Sequence, residues 1–269
     1  MHHDVDDVHD AYPIIPSGTA VLLLAGSSGR VETHRADLLA AHGARVRAIR
    51  WFGGVGQRPA PHDVPLELFF DHLDVLRRDH DRVAIMGTSF GAEAALVTAA
   101  VQPVDATIAL SPPSVVWSGF SAGNWSSHWT LDGTPLPAVA FDPEWTPTDD
   151  PPEYLGLYAR SLERDPDAAA AAAIAVEDIS GEVLLVAGGD DRVWPSIRFS
   201  DAIVSRRAAQ GKITMLITLP EAGHRVLLPG ETAPEGGTAM ARGGTPDADR
   251  RLGSLAWGEI SRLLDLRAR

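Results

Sequence analysis

The sequence predicts an α/β fold: a mostly parallel central sheet of about six to eight strands with helices on both faces. Three observations predict it. Short aliphatic runs alternate with amphipathic stretches along most of the chain. The runs are apolar throughout rather than at every second position, as in strands covered on both sides. Glycine or proline punctuates almost every change of pattern.

The elements follow in order. Met1 to Asp10 is rich in His and Asp and has neither a basic start nor an apolar run. Residues 1–16 are therefore read as a mobile acidic tail and not as a signal peptide. Thr19 to Ala25 is a buried strand, closed by the turn Gly26-Ser27-Ser28-Gly29. Glu32 to Ala41 is a helix stopped by Gly43, and Arg45 to Arg50 a second strand ended by Gly53-Gly54. Pro65 opens the next helix, with Leu66, Phe69, Phe70, Leu73 and Leu76 on one face. Arg82 to Met86 is a strand, Ala92 to Val101 a helix, and Val104 to Leu110 a strand closed by Pro112-Pro113. After a break, Glu182 to Ala187 and Ile213 to Leu219 are strands flanking a helix from Pro195 to Gln210. The last helix spans about Asp247 to Leu266, its inner face carrying Leu252, Leu255, Ala256, Ile260, Leu263 and Leu264.

The break, residues 114–180, has a different composition. Val115 to Pro152 is rich in Trp, Pro, Gly and Ser, with Trp117, Trp125, Trp129 and Trp145, and the alanine tract Asp167 to Val176 should be helical. An insertion after a central strand sits above the sheet edge where α/β folds place ligands. It can be a structural excursion packing its own tryptophans or a cap shaping a pocket, and the cap is the reading preferred here.

Composition bounds the function. With 269 residues, 45% of them hydrophobic, residues 17–269 can form one domain around a large core. No stretch approaches the roughly 20 apolar residues of a membrane helix. The absence of cysteine removes disulfides, thiolate zinc sites and a cysteine nucleophile together, and a cytoplasmic location is the expectation. A net charge of −13 argues against nucleic acid and anionic membranes as partners. A polyanionic small molecule would need a local arginine cluster.

The chemistry begins at Gly87-Thr88-Ser89-Phe90-Gly91. This is G-x-S-x-G, a weak signal alone, but here it follows a strand and opens a helix, the context of a nucleophile elbow. The serine of such an elbow sits in a sharp, strained turn, so the residues two before and two after it must be small. Glycine stands at both.

A serine hydroxyl needs a base. Of ten histidines, His2, His3 and His9 lie in the tail. His34, His42, His72 and His80 fall on or beside helices and His62 on a loop, as solvated residues would. His224 differs, because it follows the last strand in Pro220-Glu221-Ala222-Gly223-His224, a loop that returns to the sheet edge carrying the elbow. An acid must hold the imidazole, and the loop after the preceding strand supplies Gly188-Gly189-Asp190-Asp191-Arg192-Val193. Asp190 and Asp191 compete. Asp191 is preferred, with its neighbour capping the turn. The order Ser, Asp, His along the chain is that of α/β-hydrolases.

Backbone N–H groups of Phe90 and Ser27 are the candidate oxyanion donors. Ser28, Trp117 and Trp194 are candidate substrate contacts. The turn at Gly26 also resembles a phosphate-binding loop, but it is not G-x-G-x-x-G and no G-x-x-x-x-G-K-[ST] occurs. No H-E-x-x-H or cysteine set suggests a metal, and no cofactor is expected.

Further segments stand in order: Gly26-Ser-Ser-Gly-Arg-Val-Glu-Thr-His-Arg-Ala36, Gly87-Thr-Ser-Phe-Gly-Ala-Glu93, Ser111-Pro-Pro-Ser-Val-Val-Trp117, Trp129-Thr-Leu-Asp-Gly-Thr-Pro-Leu-Pro137, Gly188-Gly-Asp-Asp-Arg-Val-Trp-Pro-Ser196 and Ala222-Gly-His224. Together they resemble the C-terminal catalytic domain shared by acyl-CoA thioesterases and bile acid-CoA:amino acid N-acyltransferases, itself related to dienelactone hydrolases. The resemblance covers about residues 17–266. It implies an α/β-hydrolase fold with Ser89, Asp191 and His224 as the triad, and it favours the second aspartate of the pair. It implies a serine hydrolase acting on acyl thioesters, either acyl-CoA or an acyl group on a carrier protein. The alternative is an acyltransferase passing the acyl group to an amine or alcohol, or a carboxylic-ester hydrolase, on the same triad. The chain departs from its animal relatives, which carry an additional N-terminal β-sandwich, from the N-acyltransferase branch, which uses cysteine at the elbow, and at Arg30, where glycine is common. No peroxisomal S-K-L ends the sequence.

Overall fold

A computed structural model describes residues 7–233 and 238–267. Its elements run β1 (Val8–Ala11), β2 (Thr19–Leu24), α1 (Thr33–Ala41), β3 (Arg45–Ile49), β4 (Val64–Pro65) and α2 (Glu67–Arg77). Next come β5 (Arg82–Thr88), α3 (Phe90–Val101), β6 (Ala106–Leu110), β7 (Ser118–Ser121), β8 (Asn124–Ser127), β9 (Trp129–Leu131) and β10 (Thr134–Pro135). The chain continues through α4 (Leu155–Arg164), α5 (Pro166–Ala171), β11 (Glu182–Gly188), α6 (Ser196–Ala209), β12 (Met215–Leu219) and α7 (Pro246–Leu263).

Among the described residues, seven strands form the main sheet in the order β1-β3-β2-β5-β6-β11-β12. All its pairings are parallel except that of β1 with β3. Every residue of β2 is buried, because the two faces of the sheet feed two cores. Ala20, Leu22 and Leu24 point into a core shared with α2, α3 and α6, while Val21 and Leu23 point into the one under α1 and α7. This is why the strand reads as continuously apolar: period-two alternation still sorts its side chains, but both sorts are covered. The fold is that of the α/β-hydrolases, a mostly parallel sheet flanked by helices.

Local sequence decides several boundaries. Thr245 caps α7 by accepting the Ala248 N–H at 3.2 Å, with Pro246 in the first turn. Asp165 does the same for α5 at 2.9 Å.

The structure corrects some expectations. Val8–Ala11 is not a loose tail. It pairs antiparallel with β3, and Arg45 and Arg47 of that strand bind Asp10 at 2.9 Å each. The remainder of the acidic start, residues 1–6, lies outside the described residues. Pro65 does not open α2. It stands in β4, paired with Thr130 of β9, and the helix begins at Glu67. The alanine tract is helical only to Ala171, after which Ala173 bridges Val115. Leu255 faces outward at 56% exposure, one position off the stripe formed by Leu252, Ala256, Ile260 and Leu263. His62 and His72 are buried, not solvated. No helix among the described residues is long and apolar enough to cross a membrane.

Between Leu110 and β11 the chain forms a β7–β8 hairpin, strands β9 and β10, which join the upstream β4 in a small sheet, and helices α4 and α5. Trp117, Phe141, Tyr158, Trp194 and Phe199 form an aromatic cluster beneath it, with Trp117 and Phe141 stacked at 5.4 Å.

Candidate active site

Parallel strands deliver their following loops to one edge of the sheet. Leu24 is level with Gly87, Thr88 with Leu110, and Gly188 with Leu219. The loops after β2, β5, β6, β11 and β12 therefore emerge side by side.

The elbow lies between β5 and α3. Ser89 takes φ 58° and ψ −122°, a conformation costly for any residue with a Cβ and sustained only where surrounding contacts enforce it. Its N–H donates to Leu110 O at 2.9 Å, and its C=O accepts from Ala92 and Glu93 in the first turn of α3. A Cβ on Gly87 would overlap Gly91 O, and one on Gly91 would overlap Ala25 O and Leu24 O. The elbow can close only with glycine at both positions, as the sequence pattern anticipates.

His224 Nε2 lies 3.0 Å from Ser89 Oγ, and its Nδ1 lies 2.7 Å from Asp191 Oδ2. A carboxylate at Nδ1 assigns the proton to that nitrogen and leaves Nε2 as the acceptor facing the serine hydroxyl. Asp191 is itself held by the backbone N–H groups of Val193 (2.8 Å) and Trp194 (3.2 Å) and by the Ser196 hydroxyl. The imidazole is equally constrained. The C=O of His224 accepts from Ser111 Oγ at 2.8 Å, its N–H donates to Arg242 O at 2.8 Å, and Gly223 N–H donates to Asp249 Oδ1 at 2.8 Å. Burial pushes the Asp249 carboxyl up, while the Gly223 N–H opposes that shift.

Asp190 points elsewhere. It accepts from Gly244 N–H at 2.8 Å and Arg192 Nε at 2.7 Å, contacts that hold its carboxyl below the usual range. It fastens the loop before α7 to the acid loop, and does not reach the imidazole hydrogen bonds described above.

Ser89 and His224 open into a cavity of about 1260 Å³. Ser27, Ser28 and Phe90 line it. A Cβ built on Gly26 would sit 3.1 Å from Ser89 Cβ, so the loop bearing Ser27 passes directly against the nucleophile. Trp117 and Trp194 depart from expectation. Both are fully buried and stand behind the cavity wall. Trp194 packs edge-on against His224 at 5.4 Å and against Phe90 at 5.7 Å, so it shapes the triad's surroundings from within. Trp125 and Trp145 occupy the lining instead.

The lining has two unlike walls. Residues 118–158 contribute Trp125, Phe141, Trp145, Tyr154 and Tyr158. The loop after β2 contributes Arg30, α1 contributes Arg35, and Arg225 and Arg242 stand in the chain between β12 and α7. Arg35 is engaged. It binds Glu231 at 2.6 Å, Thr88 Oγ1 at 3.0 Å and Val226 O at 2.9 Å, and although burial alone would lower its pKa, Glu231 beside it raises it further. That pair ties the loop after His224 to the elbow. Arg242 donates to the carbonyls of Thr238 and Met240. Burial, and then the charges of Arg225 and Arg30, hold its guanidinium below the ordinary value.

A second buried histidine of the pocket has no counterpart in the sequence analysis. His128 lies on the cavity wall, with Nδ1 3.1 Å from Glu93 Oε1. The available signal was Glu93 itself, a carboxylate in the otherwise apolar run Ala92 to Val97, which burial obliges to find a partner.

Comparison with known proteins agrees with the fold. The chain is 28% identical over 260 residues to acyl-coenzyme A thioesterase 6 of Mus musculus, covering 89% of this chain and 58% of that protein. It thus spans less than two thirds of the length of the curated relative it matches. Among solved structures, a Klebsiella pneumoniae protein assigned as a dienelactone hydrolase aligns with a TM-score of 0.58 at 13% identity, over 96% of this chain and 98% of that one. An esterase from Thermogutta terrifontis, solved with butyrate bound, aligns with a TM-score of 0.54 at 13% identity, over 97% and 91%. At such identities these structures speak for the α/β-hydrolase fold alone. Residues 64–262 match the family model described as BAAT / Acyl-CoA thioester hydrolase C terminal, and the chain belongs to that family.

Proposed function

We propose that this protein is a serine hydrolase of acyl thioesters, acting through Ser89, His224 and Asp191 and a covalent acyl-enzyme. The observation that carries the reading is the continuous hydrogen-bond line from Ser89 Oγ through the imidazole to Asp191, at 3.0 and 2.7 Å. His224 takes the serine proton as Oγ attacks the carbonyl, and Asp191 stabilises the resulting imidazolium. The Phe90 N–H at the start of α3 and the Ser27 N–H are the donors proposed for the oxyanion. The thiol then leaves. Its reference pKa near 8.5 lies far below that of an alcohol, so departure requires little protonation. Water, deprotonated by His224, releases the acid.

Arg30, Arg225 and Arg242 support an anionic leaving group. In a chain of net charge −13, guanidinium groups gathered at one wall of the cavity offer the local attraction that a phosphate-bearing thiol, coenzyme A or the phosphopantetheine arm of an acyl carrier protein, requires. The same triad would serve carboxylic esters, or transfer the acyl group to an amine or alcohol that reached it before water. A serine-directed fluorophosphonate tests the chemistry. Labelling at Ser89 that is lost in Ser89→Ala is the expected result, and a chain that never labels refutes the proposal.

A further inference from the structure

The buried Glu93–His128 pair takes no part in the reaction proposed above. Glu93, on the helix that follows the nucleophile, is fully buried, and a carboxylate withdrawn from water must be met by donors. It receives the Trp129 indole N–H at 2.8 Å, the Trp117 backbone N–H at 3.0 Å and His128 Nδ1 at 3.1 Å. This fixes the ring of His128. Nδ1 carries a proton toward Glu93, and Nε2, on the other edge of the ring, is a hydrogen-bond acceptor in the neutral imidazole.

The two side-chain donors differ in placement. Trp129 serves the carboxylate from the core, away from the cavity, whereas His128 lines the cavity while only 2% exposed. A donor needed for Glu93 alone has no reason to stand on the cavity wall. Tyr158 lines the same wall. Burial, and then the charge of Glu93, push its phenol well above the usual range, so its hydroxyl remains a donor. The surroundings are aromatic: Phe90 packs on His128 at 4.5 Å, and Phe141 lies 5.4 Å from Tyr158.

We infer that His128 is a specificity-determining residue for the acyl group, its Nε2 accepting a hydrogen bond from a hydroxyl substituent on the acyl chain, with the Tyr158 hydroxyl as the complementary donor. The inference rests on the hydrolase reading and names the acyl half of its substrate. A plain alkyl chain would bury Nε2 without a partner, which on the scale of one hydrogen bond lowers affinity by about tenfold. A hydroxylated chain satisfies it.

The test uses N-acetylcysteamine thioesters, which lack phosphates and so are insensitive to the arginine wall. Hexanoyl thioester is compared with its 3-, 4- and 5-hydroxy forms. The expected result is a kcat/KM at least about tenfold higher for the best hydroxylated form, the ratio falling to about one in His128→Phe. Because that substitution removes a donor from Glu93, the double variant Glu93→Gln/His128→Phe is measured beside it. A wild-type ratio near one overturns the inference, as does a ratio unchanged in either variant. Absence of turnover with every thioester would instead defeat the hydrolase reading. The inference is then decided by the affinities of the free acids, read from intrinsic tryptophan fluorescence, where equal binding of hexanoate and its hydroxylated forms overturns it.

Discussion

The two walls of the cavity differ in origin as well as in chemistry. The arginine wall comes from the loop after β2, from α1 and from Arg225 and Arg242, and Arg35 of α1 ties it to the elbow and to Val226. The aromatic wall comes from the insertion between β6 and β11 and reaches the catalytic core through Glu93, which binds Trp117, His128 and Trp129. Charge on one side suits a hydrated, anionic group. Rings on the other suit an acyl chain removed from water. Ser89 lines the same cavity, where a molecule with one end of each kind would present its carbonyl.

Three substitutions break or sharpen that contrast. The largest effect is at Ser89. Ser89→Ala should lower kcat by about a millionfold, the order seen when a triad nucleophile is removed, while substrate binding, measured by equilibrium dialysis, persists because both walls remain. Loss of binding together with turnover would mean that the walls do not hold substrate independently of the nucleophile.

Next in size is the arginine wall. Arg242→Gln should raise KM for an acyl-CoA by about tenfold or more, the scale of a charge-assisted hydrogen bond, and leave the matching N-acetylcysteamine thioester unaffected. Equal losses for the two leaving groups would show that the wall shapes the cavity without reading phosphate.

The smallest change is expected on the rings. Trp125 is about half exposed (53%) and packs on Phe120 and Phe141 at 5.1 and 5.6 Å. Trp125→Ala should reduce kcat/KM several-fold, by about 1 kcal/mol of lost apolar contact, and more for long acyl chains than for acetyl. A loss independent of chain length would place the acyl group elsewhere.

Legibility in the sequence followed the range of the interactions involved. The elbow was legible because its requirement is local: Gly87 and Gly91 are each two residues from Ser89, and their spacing states the steric rule directly. The candidate base and acid were legible through connectivity, since parallel strands send successive loops to one edge. Trp117 and Trp194 were misplaced for the opposite reason. An indole is as suited to the back of a wall as to its surface, and only packing against Phe141, Tyr158 and His224 decides which. β1 went unread because a four-residue edge strand, polar where it meets solvent, carries no apolar signature.

By itself the sequence determined the alternation of strand and helix, the parallel sheet and the positions at which a serine, an aspartate and a histidine could meet, because periodicity and turn sterics act over a few residues. Tertiary structure alone decided what surrounds them. The Glu93–His128 contact spans 35 positions, and the arginine wall collects residues as distant as Arg30 and Arg242. Such partners are chosen by burial and charge after the chain has folded, and no local pattern announces them.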